Sequence, residues 1–286
     1  MEKIVSVKNA SSYVRDTVPV EVYNVKGRDV HVYRGDLHGD GVILPPWAKI
    51  GPIFNLLKKY VNPNIPLTHM SVDGSWSGWT LAAFCHELDI PFYYSYPDSK
   101  KFNRKILEDV LDKYPNTMLN PVKPNMLAIM YNSLRSQVKR ENWQMLPYAF
   151  NHPYYINYVA DQVRELNGFD NLVASSGSGV TLSGLTLGFM DTDLKSFFNP
   201  NPTKKVWTTC VSSSDTIAKM LKKNGVHLPI NIRKSEYDFN DRIHGYETPF
   251  PCNQFWDIKQ WHWLENNIDQ LEGSILFWNL GGNYLY

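Results

Sequence analysis

The sequence predicts an α/β fold with mainly parallel sheets, and three observations carry that prediction. Short runs rich in Val, Ile, Tyr and Phe recur between longer runs with helical spacing of apolar residues. Past the N-terminal third, nearly every strand-like run is followed by a helix-like one, as in strand–helix–strand units. One strand-like run, "NLVAS", also gives way to a helix-like run through the small, hydroxyl-rich loop "SSGSG". In parallel architectures such loops lie at the strand ends that bind ligands.

Taken in order, "VEVYNV" and "DVHVYRGD" alternate like half-buried strands, and "GDGVILPPWAK" breaks regular structure with Gly and Pro-Pro. "IGPIFNLLKKYV" has helical spacing. Then come a strand "LTHMSV", a helix "GWTLAAFCHEL", a strand "IPFYYSY", a helix "NRKILEDVLDKY", a strand "TMLNPV" and a helix "NMLAIMYNSLRSQVKR". "NWQMLPYAFNHP" reads as a proline-bearing loop. After it follow helix "YYINYVADQVREL", strand "NLVAS", helix "TLSGLTLGFM", strand "KKVWTTCVS", helix "SDTIAKMLKKNG", strand "INIRKSEYD", helix "FWDIKQWHWLENNIDQL" and strand "SILFWNL". The breaks at "LPPWAKIGP" and "WQMLPYAFNHP" divide the chain into a large domain, 1–52 and 153–286, with a small domain, 53–152, inserted in it.

With 286 residues and 43% hydrophobic content the chain has material for a substantial core. Its formal net charge of +1 supplies no overall field for nucleic acid or an anionic membrane. Cys85, Cys210 and Cys252 form no CxxC pair, which suits buried thiols in a reducing compartment. The charged N-terminal stretch is unlike a signal peptide, and no run reaches the ~20 apolar residues of a membrane span. The expectation is a soluble, cytoplasmic protein with no membrane partner.

In "SSGSGVTLSG", Ser176, Gly177, Ser178, Gly179 and Thr181 offer backbone amides and hydroxyls at the start of a helix, where the dipole favours an anion. The spelling is neither G-x-x-x-x-G-K-[ST] nor G-x-G-x-x-G, so a single phosphomonoester fits better than a nucleoside triphosphate or dinucleotide. A tight turn packed with small residues would have the same composition. "HEL" at His86 is not H-E-x-x-H, and no G-x-S-x-G elbow occurs, which disfavours a zinc hydrolase and an α/β-hydrolase, with no metal expected. Trp256, Trp261 and Trp263 suit either a base-stacking surface or helix packing.

"SSGSGVTLSG" resembles the phosphate-cradling loop of the pyridoxal-phosphate enzymes of the tryptophan synthase β-subunit family, fold type II. Three further segments occur in that family's order. "VYRGDLHGDGVILPPWAKIGPIFNLL" resembles the strand leading to the Schiff-base lysine. "SVDGSWSGWTLAAFCHELDIP" resembles the substrate loop and its helix, and "SILFWNLGGNYLY" the last strand of the D-cysteine desulfhydrase and ACC deaminase branch. The resemblance implies two domains, each with a mainly parallel sheet flanked by helices, pyridoxal 5'-phosphate as cofactor, and a homodimer. The "PPxAK" spelling is also similar to compact bacteriophage members associated with hypermodified thymine.

Carried over residue by residue, the resemblance makes Lys49 the Schiff-base lysine and residues Ser176 to Thr181 the phosphate cradle. It makes Ser75 a substrate-carboxylate or proton-transfer residue, with Trp76, Ser77, Gly74 and Gly78 around it. The chain departs from the family where Trp76 stands for the usual Asn, and where Leu280 stands near the usual Ser or Thr facing the pyridine nitrogen. In "HGYETPFP", Glu247 is the expected carboxylate for that nitrogen and Tyr246 a substrate-facing acid/base. The implied activity is a lyase acting at Cα. It takes either a free amino acid, by β-elimination or deamination, or an amino acid attached to a thymine-derived base in phage DNA, by decarboxylation. A catalytically idle domain used for binding is the alternative.

Overall fold

The computed structural model describes residues 9–72, 75–100, 102, 104–166, 168–190, 204–210, 213–238 and 241–282. Its strands form two sheets. The larger is ordered β1 (Val20–Val25), β2 (Arg28–Arg34), β10 (Ile275–Asn279), β7 (Asn171–Ala174), β8 (Lys205–Cys210) and β9 (Asn231–Lys234). All its pairings are parallel except the β1–β2 hairpin. The smaller is wholly parallel: β5 (Thr117–Val122), β4 (Phe92–Pro97), β3 (Leu67–Met70) and β6 (Gln144–Met145). The loop expected at "NWQMLPYAFNHP" therefore supplies a short edge strand, too brief for its periodicity to register.

Helices α1 (Ile50–Tyr60), α2 (Ser77–Glu87), α3 (Arg104–Lys113), α4 (Leu127–Glu141), α5 (Pro153–Arg164), α6 (Val180–Met190), α7 (Ser214–Lys223) and α8 (Asp257–Asn267) connect the strands. The alternation read from the sequence is present, and parallel strands need such crossovers. α2 and α6 are apolar almost all round, and both are buried on nearly every side. α6 reaches its depth because Gly184 and Gly188, one turn apart, lie against α5. A Cβ at Gly184 would sit 2.7 Å from the Ile156 carbonyl oxygen, and one at Gly188 would collide with that of Ala160.

Two devices fix the segment before α1. Buried Asp36 is gripped by Arg34 through Nε (2.9 Å) and Nη2 (2.8 Å), and it accepts from Asn279 Nδ2 at 2.9 Å, tying β2 to β10. Beyond β10, Ala48 N–H donates to the Leu280 carbonyl (2.8 Å) and Gly282 N–H to that of Pro46 (2.9 Å). The chain tail thereby sets residues 46–48 and the start of α1. Cys85, Cys210 and Cys252 are buried free thiols. Trp261 is core, set edge-on against Phe250 and Phe277, and Trp263 packs on Trp207. Among the described residues no helix is long and apolar enough to cross a membrane.

Candidate active site

A cavity of about 760 Å³ opens between the two sheets. Parallel strands direct their C-terminal ends toward it, which is where such folds bind ligands. One flank is the turn from β7 into α6. Ser176, Gly177, Ser178, Gly179 and Thr181 all line it. Gly179 has φ +86, a conformation that side-chain-bearing residues rarely adopt, and it turns the chain into the helix. The first amides of α6 have no acceptor within the helix. The Ser176 hydroxyl is buried with no hydrogen-bond partner among the described residues, while Thr181 Oγ1 is 2.9 Å from the Tyr155 hydroxyl. A buried hydroxyl left unpaired costs about 1–3 kcal/mol, and an oxyanion in this turn would satisfy it.

Lys49 caps α1 and lines the same cavity, its Nζ 5.1 Å from the Trp47 ring centroid. Desolvation lowers its pKa to about 8, opposed by the charge of Asp257. At neutral pH a useful fraction of the amine is thus unprotonated and nucleophilic. Asp257, the first residue of α8, is wholly buried and also lines the cavity. Its Oδ1 accepts from Ser175 Oγ at 2.6 Å and its Oδ2 from Gly281 N–H at 3.1 Å. Burial raises its pKa to about 7 in spite of these donors and of Lys49.

Ser75 and Ser77 reach the cavity from the loop after β3. Their hydroxyls form a short relay: Ser75 Oγ donates to Ser77 Oγ at 2.9 Å, and Ser77 Oγ lies 3.2 Å from Ser71 Oγ. Gly74 lies outside the described residues, and Gly78 is the second residue of α2. Trp76 is fully buried, edge-on to Trp79, and does not line the cavity; Leu280 does.

The structure does not bring Tyr246 or Glu247 to the cavity. The Tyr246 hydroxyl donates to Glu265 at 2.6 Å, and burial together with that carboxylate raises its pKa. Glu247 is exposed. The buried carboxylate at the site is Asp257, which sequence reasoning passed over because an acidic residue in the first turn of a helix reads as a dipole partner. His69 was missed as well. It lines the cavity from β3, where a lone His in an apolar strand reads as core.

No family model matches the chain. It is 27% identical to the glycyl-dTMP PLP-dependent decarboxylase of Pseudomonas phage M6, over 93% of this chain and 99% of that protein. Among solved structures, an ACC deaminase homologue superposes with a TM-score of 0.70 at 16% identity, covering 99% of this chain and 95% of the other. Serine racemase from Dictyostelium discoideum gives 0.67 at 12% identity, covering 98% and 96%. The chain thus has the fold of the fold type II pyridoxal-phosphate enzymes, as its sequence led one to expect.

Proposed function

We propose that the chain uses pyridoxal phosphate to remove the carboxylate from an amino-acid group carried on a thymine nucleotide. The residues present fit the cofactor. Ser176, Ser178, Thr181 and the first amides of α6 would hold its phosphate, and the unpaired Ser176 hydroxyl is what such a group would satisfy. Lys49 would anchor it, with an amine already depressed to about 8. Asp257, buried and lining the cavity, would take the part expected of Glu247, the carboxylate that would keep the pyridine nitrogen protonated. Once bound, the cofactor supplies an electron sink for the pair left on Cα when the bond to the carboxylate breaks. Lys49, its amine lining the cavity, would be the group that returns a proton to that carbon.

The single observation carrying the reading is the extent and lining of the cavity. Its wall includes the serine-glycine turn, Lys49 and the rings of Tyr131, Tyr148 and Phe150, which a small amino acid beside the cofactor would not need. Lys49 is also the one Lys or Arg among the described lining residues. Hydroxyls at Ser75 and Ser77 and apolar contacts at Trp47, Met70 and Leu280 suit a carboxylate that leaves, because a fixed cation would hold it in place. The phage relative's name points to the same reaction class. We take residues 53–152 as the small domain, since every strand of the smaller sheet falls within it. We take the protein to be a homodimer working in the host cytoplasm, as its resemblance implies.

The test is a visible spectrum of the purified protein with pyridoxal phosphate, then borohydride reduction, peptide mapping and assay of thymidine monophosphate bearing a glycyl group. A band that bleaches, a pyridoxyl mass on Lys49 and release of CO₂ are expected. A colourless protein would overturn the cofactor. Ammonia and keto acid from free serine, without CO₂ from the nucleotide, would return the enzyme to eliminating free amino acids.

A further inference from the structure

We propose that the part of the cavity lined by His69, Phe150, Tyr131 and Tyr148 is a pyrimidine-nucleotide subsite, where these rings hold the base and the adjoining groove of Arg135 and Lys139 holds its phosphate. The inference rests on the function proposed above for the choice of a thymine base and for the group attached to it.

His69 lies near the C-terminal end of β3, 5% exposed, and lines the cavity. Neither ring nitrogen hydrogen-bonds within the described chain, and Nδ1 is enclosed. Burial lowers its pKa to about 3, so the ring is neutral, with one donor and one acceptor. Were the position needed only for packing, an apolar residue would fill it without an unpaired polar group. A pyrimidine of the thymine type presents carbonyl acceptors and an N–H donor along one edge, and the His69 Nε2, which is not enclosed, can make one hydrogen bond to either kind of group.

The surroundings are ring faces. Phe150 stacks on His69 with centroids 4.6 Å apart and planes at 16°, while Tyr148 stands perpendicular to Tyr131 at 5.4 Å. Phe150 is held there by two consecutive non-glycine residues in the left-handed region, Ala149 at φ 52 and itself at φ 62. Such conformations cost of order 1–3 kcal/mol each and concentrate at ligand clamps. Tyr131 is locked by its hydroxyl, which donates to the Leu146 carbonyl at 2.8 Å. Its ring also walls a second groove, which Arg135 and Lys139 line and no described carboxylate does. The Arg135 guanidinium lies 5.1 Å from the Tyr131 ring centroid, and Lys139 follows one helical turn along α4. Aromatic faces beside a guanidinium with no ion pair among the described residues suit a base joined to a phosphate. A free amino acid would use none of this.

Calorimetry with thymidine 5'-monophosphate, thymidine and glycine, on protein with and without pyridoxal phosphate, tests the subsite. Thymidine monophosphate should bind in both forms, with thymidine roughly tenfold weaker and glycine undetected at the same concentrations. His69→Leu and, independently, the part-exposed Tyr148→Leu should each weaken it about tenfold, with pyridoxyl labelling of Lys49 unchanged. Arg135→Gln should weaken the monophosphate and leave thymidine alone. The subsite is overturned if the monophosphate does not bind, if it binds only by displacing pyridoxal phosphate, or if both the His69 and Tyr148 variants bind it like the parent. Failure of the cofactor reading looks different: Lys49 takes no label while the nucleotide still binds.

Discussion

Two parts of the cavity wall are built on opposite plans. The serine-glycine part comes from one contiguous turn and offers amides and hydroxyls. The other gathers His69 from β3, Tyr131 from α4 and Tyr148 and Phe150 from the turn after β6, and offers ring faces. The first plan suits a rigid, invariant group such as a phosphate, because backbone donors keep their places. The second suits a flat ring that must enter and leave. Lys49 lines the same cavity on a segment stitched to the tail of β10, so that the amine and both parts can act on one molecule.

The sharpest break between the two parts is Lys49→Ala. Turnover should fall roughly 10³-fold or more, since this amine is both anchor and proton donor. Binding of thymidine monophosphate should be unchanged. If turnover survived, Lys49 would be a bystander; if nucleotide binding vanished with it, the two parts would not be separable.

The same division decided what the sequence could reveal. The turn and Lys49 were legible because each is a local pattern: small residues between strand and helix, and a lysine after Pro-Pro at a helix start. The strand–helix order was legible for the same reason. His69, Tyr131, Tyr148 and Phe150 were not, because only folding brings them together, and each alone looks like core. Trp256, Trp261 and Trp263 show the limit of spacing: the first lines the cavity, the second is core, and the third packs on Trp207. Likewise Glu247 and Asp257 are both carboxylates near the expected region, and burial alone tells them apart.

Asp257 ranks next in expected effect. Its folded pKa, about 7, lies above the ordinary 3.8, so the native state holds a proton the unfolded chain releases. Stability of the cofactor-free protein from this group is full below pH 4 and is lost as pH rises toward 7, by up to about 1.4 kcal/mol per pH unit. Lys49 acts in the other window. Its folded pKa of about 8 lies below 10.5, so stability recovers as pH rises from 8 to 10.5. Between about pH 4 and 6.5 the buried His69, with its pKa of about 3, adds stability as pH rises and offsets the loss from Asp257. The Asp257 limb is therefore read in urea titrations of the cofactor-free protein as the difference between the parent and Asp257→Asn. Asp257→Asn should remove the acid limb and leave the alkaline one. An unchanged acid limb would mean that Asp257 is already ionised in the native state.

In the serine-glycine part the effects are smaller. Ser176→Ala should weaken pyridoxal phosphate about tenfold, the worth of one hydrogen bond to a charged group, and should make the cofactor-free protein no less stable, since the buried hydroxyl has no partner among the described residues. Gly179→Ala should lose stability even without cofactor, by roughly 1 kcal/mol, because of its φ of +86 and the Met220 Cβ at 3.1 Å. Equal losses of stability in the two variants would make the turn a packing device with no anion to hold.

The smallest expected effect is the most pointed. Tyr246→Phe and Glu247→Gln should each leave kcat and KM within about twofold of the parent, since neither side chain lines the cavity and substitutions away from a site rarely matter more. Tyr246→Phe should cost about 1 kcal/mol of stability, because its hydroxyl donates to Glu265 inside a packed cluster of rings. A large fall in kcat from either substitution, with stability intact, would mean that the "HGYETPFP" loop moves onto the substrate during turnover. The contrast between a preformed phosphate part and a preformed base part would then need a third, mobile element. Near-parental kinetics would leave Asp257 as the carboxylate that the chemistry uses, placed by the start of a helix and not by the loop that sequence similarity favoured.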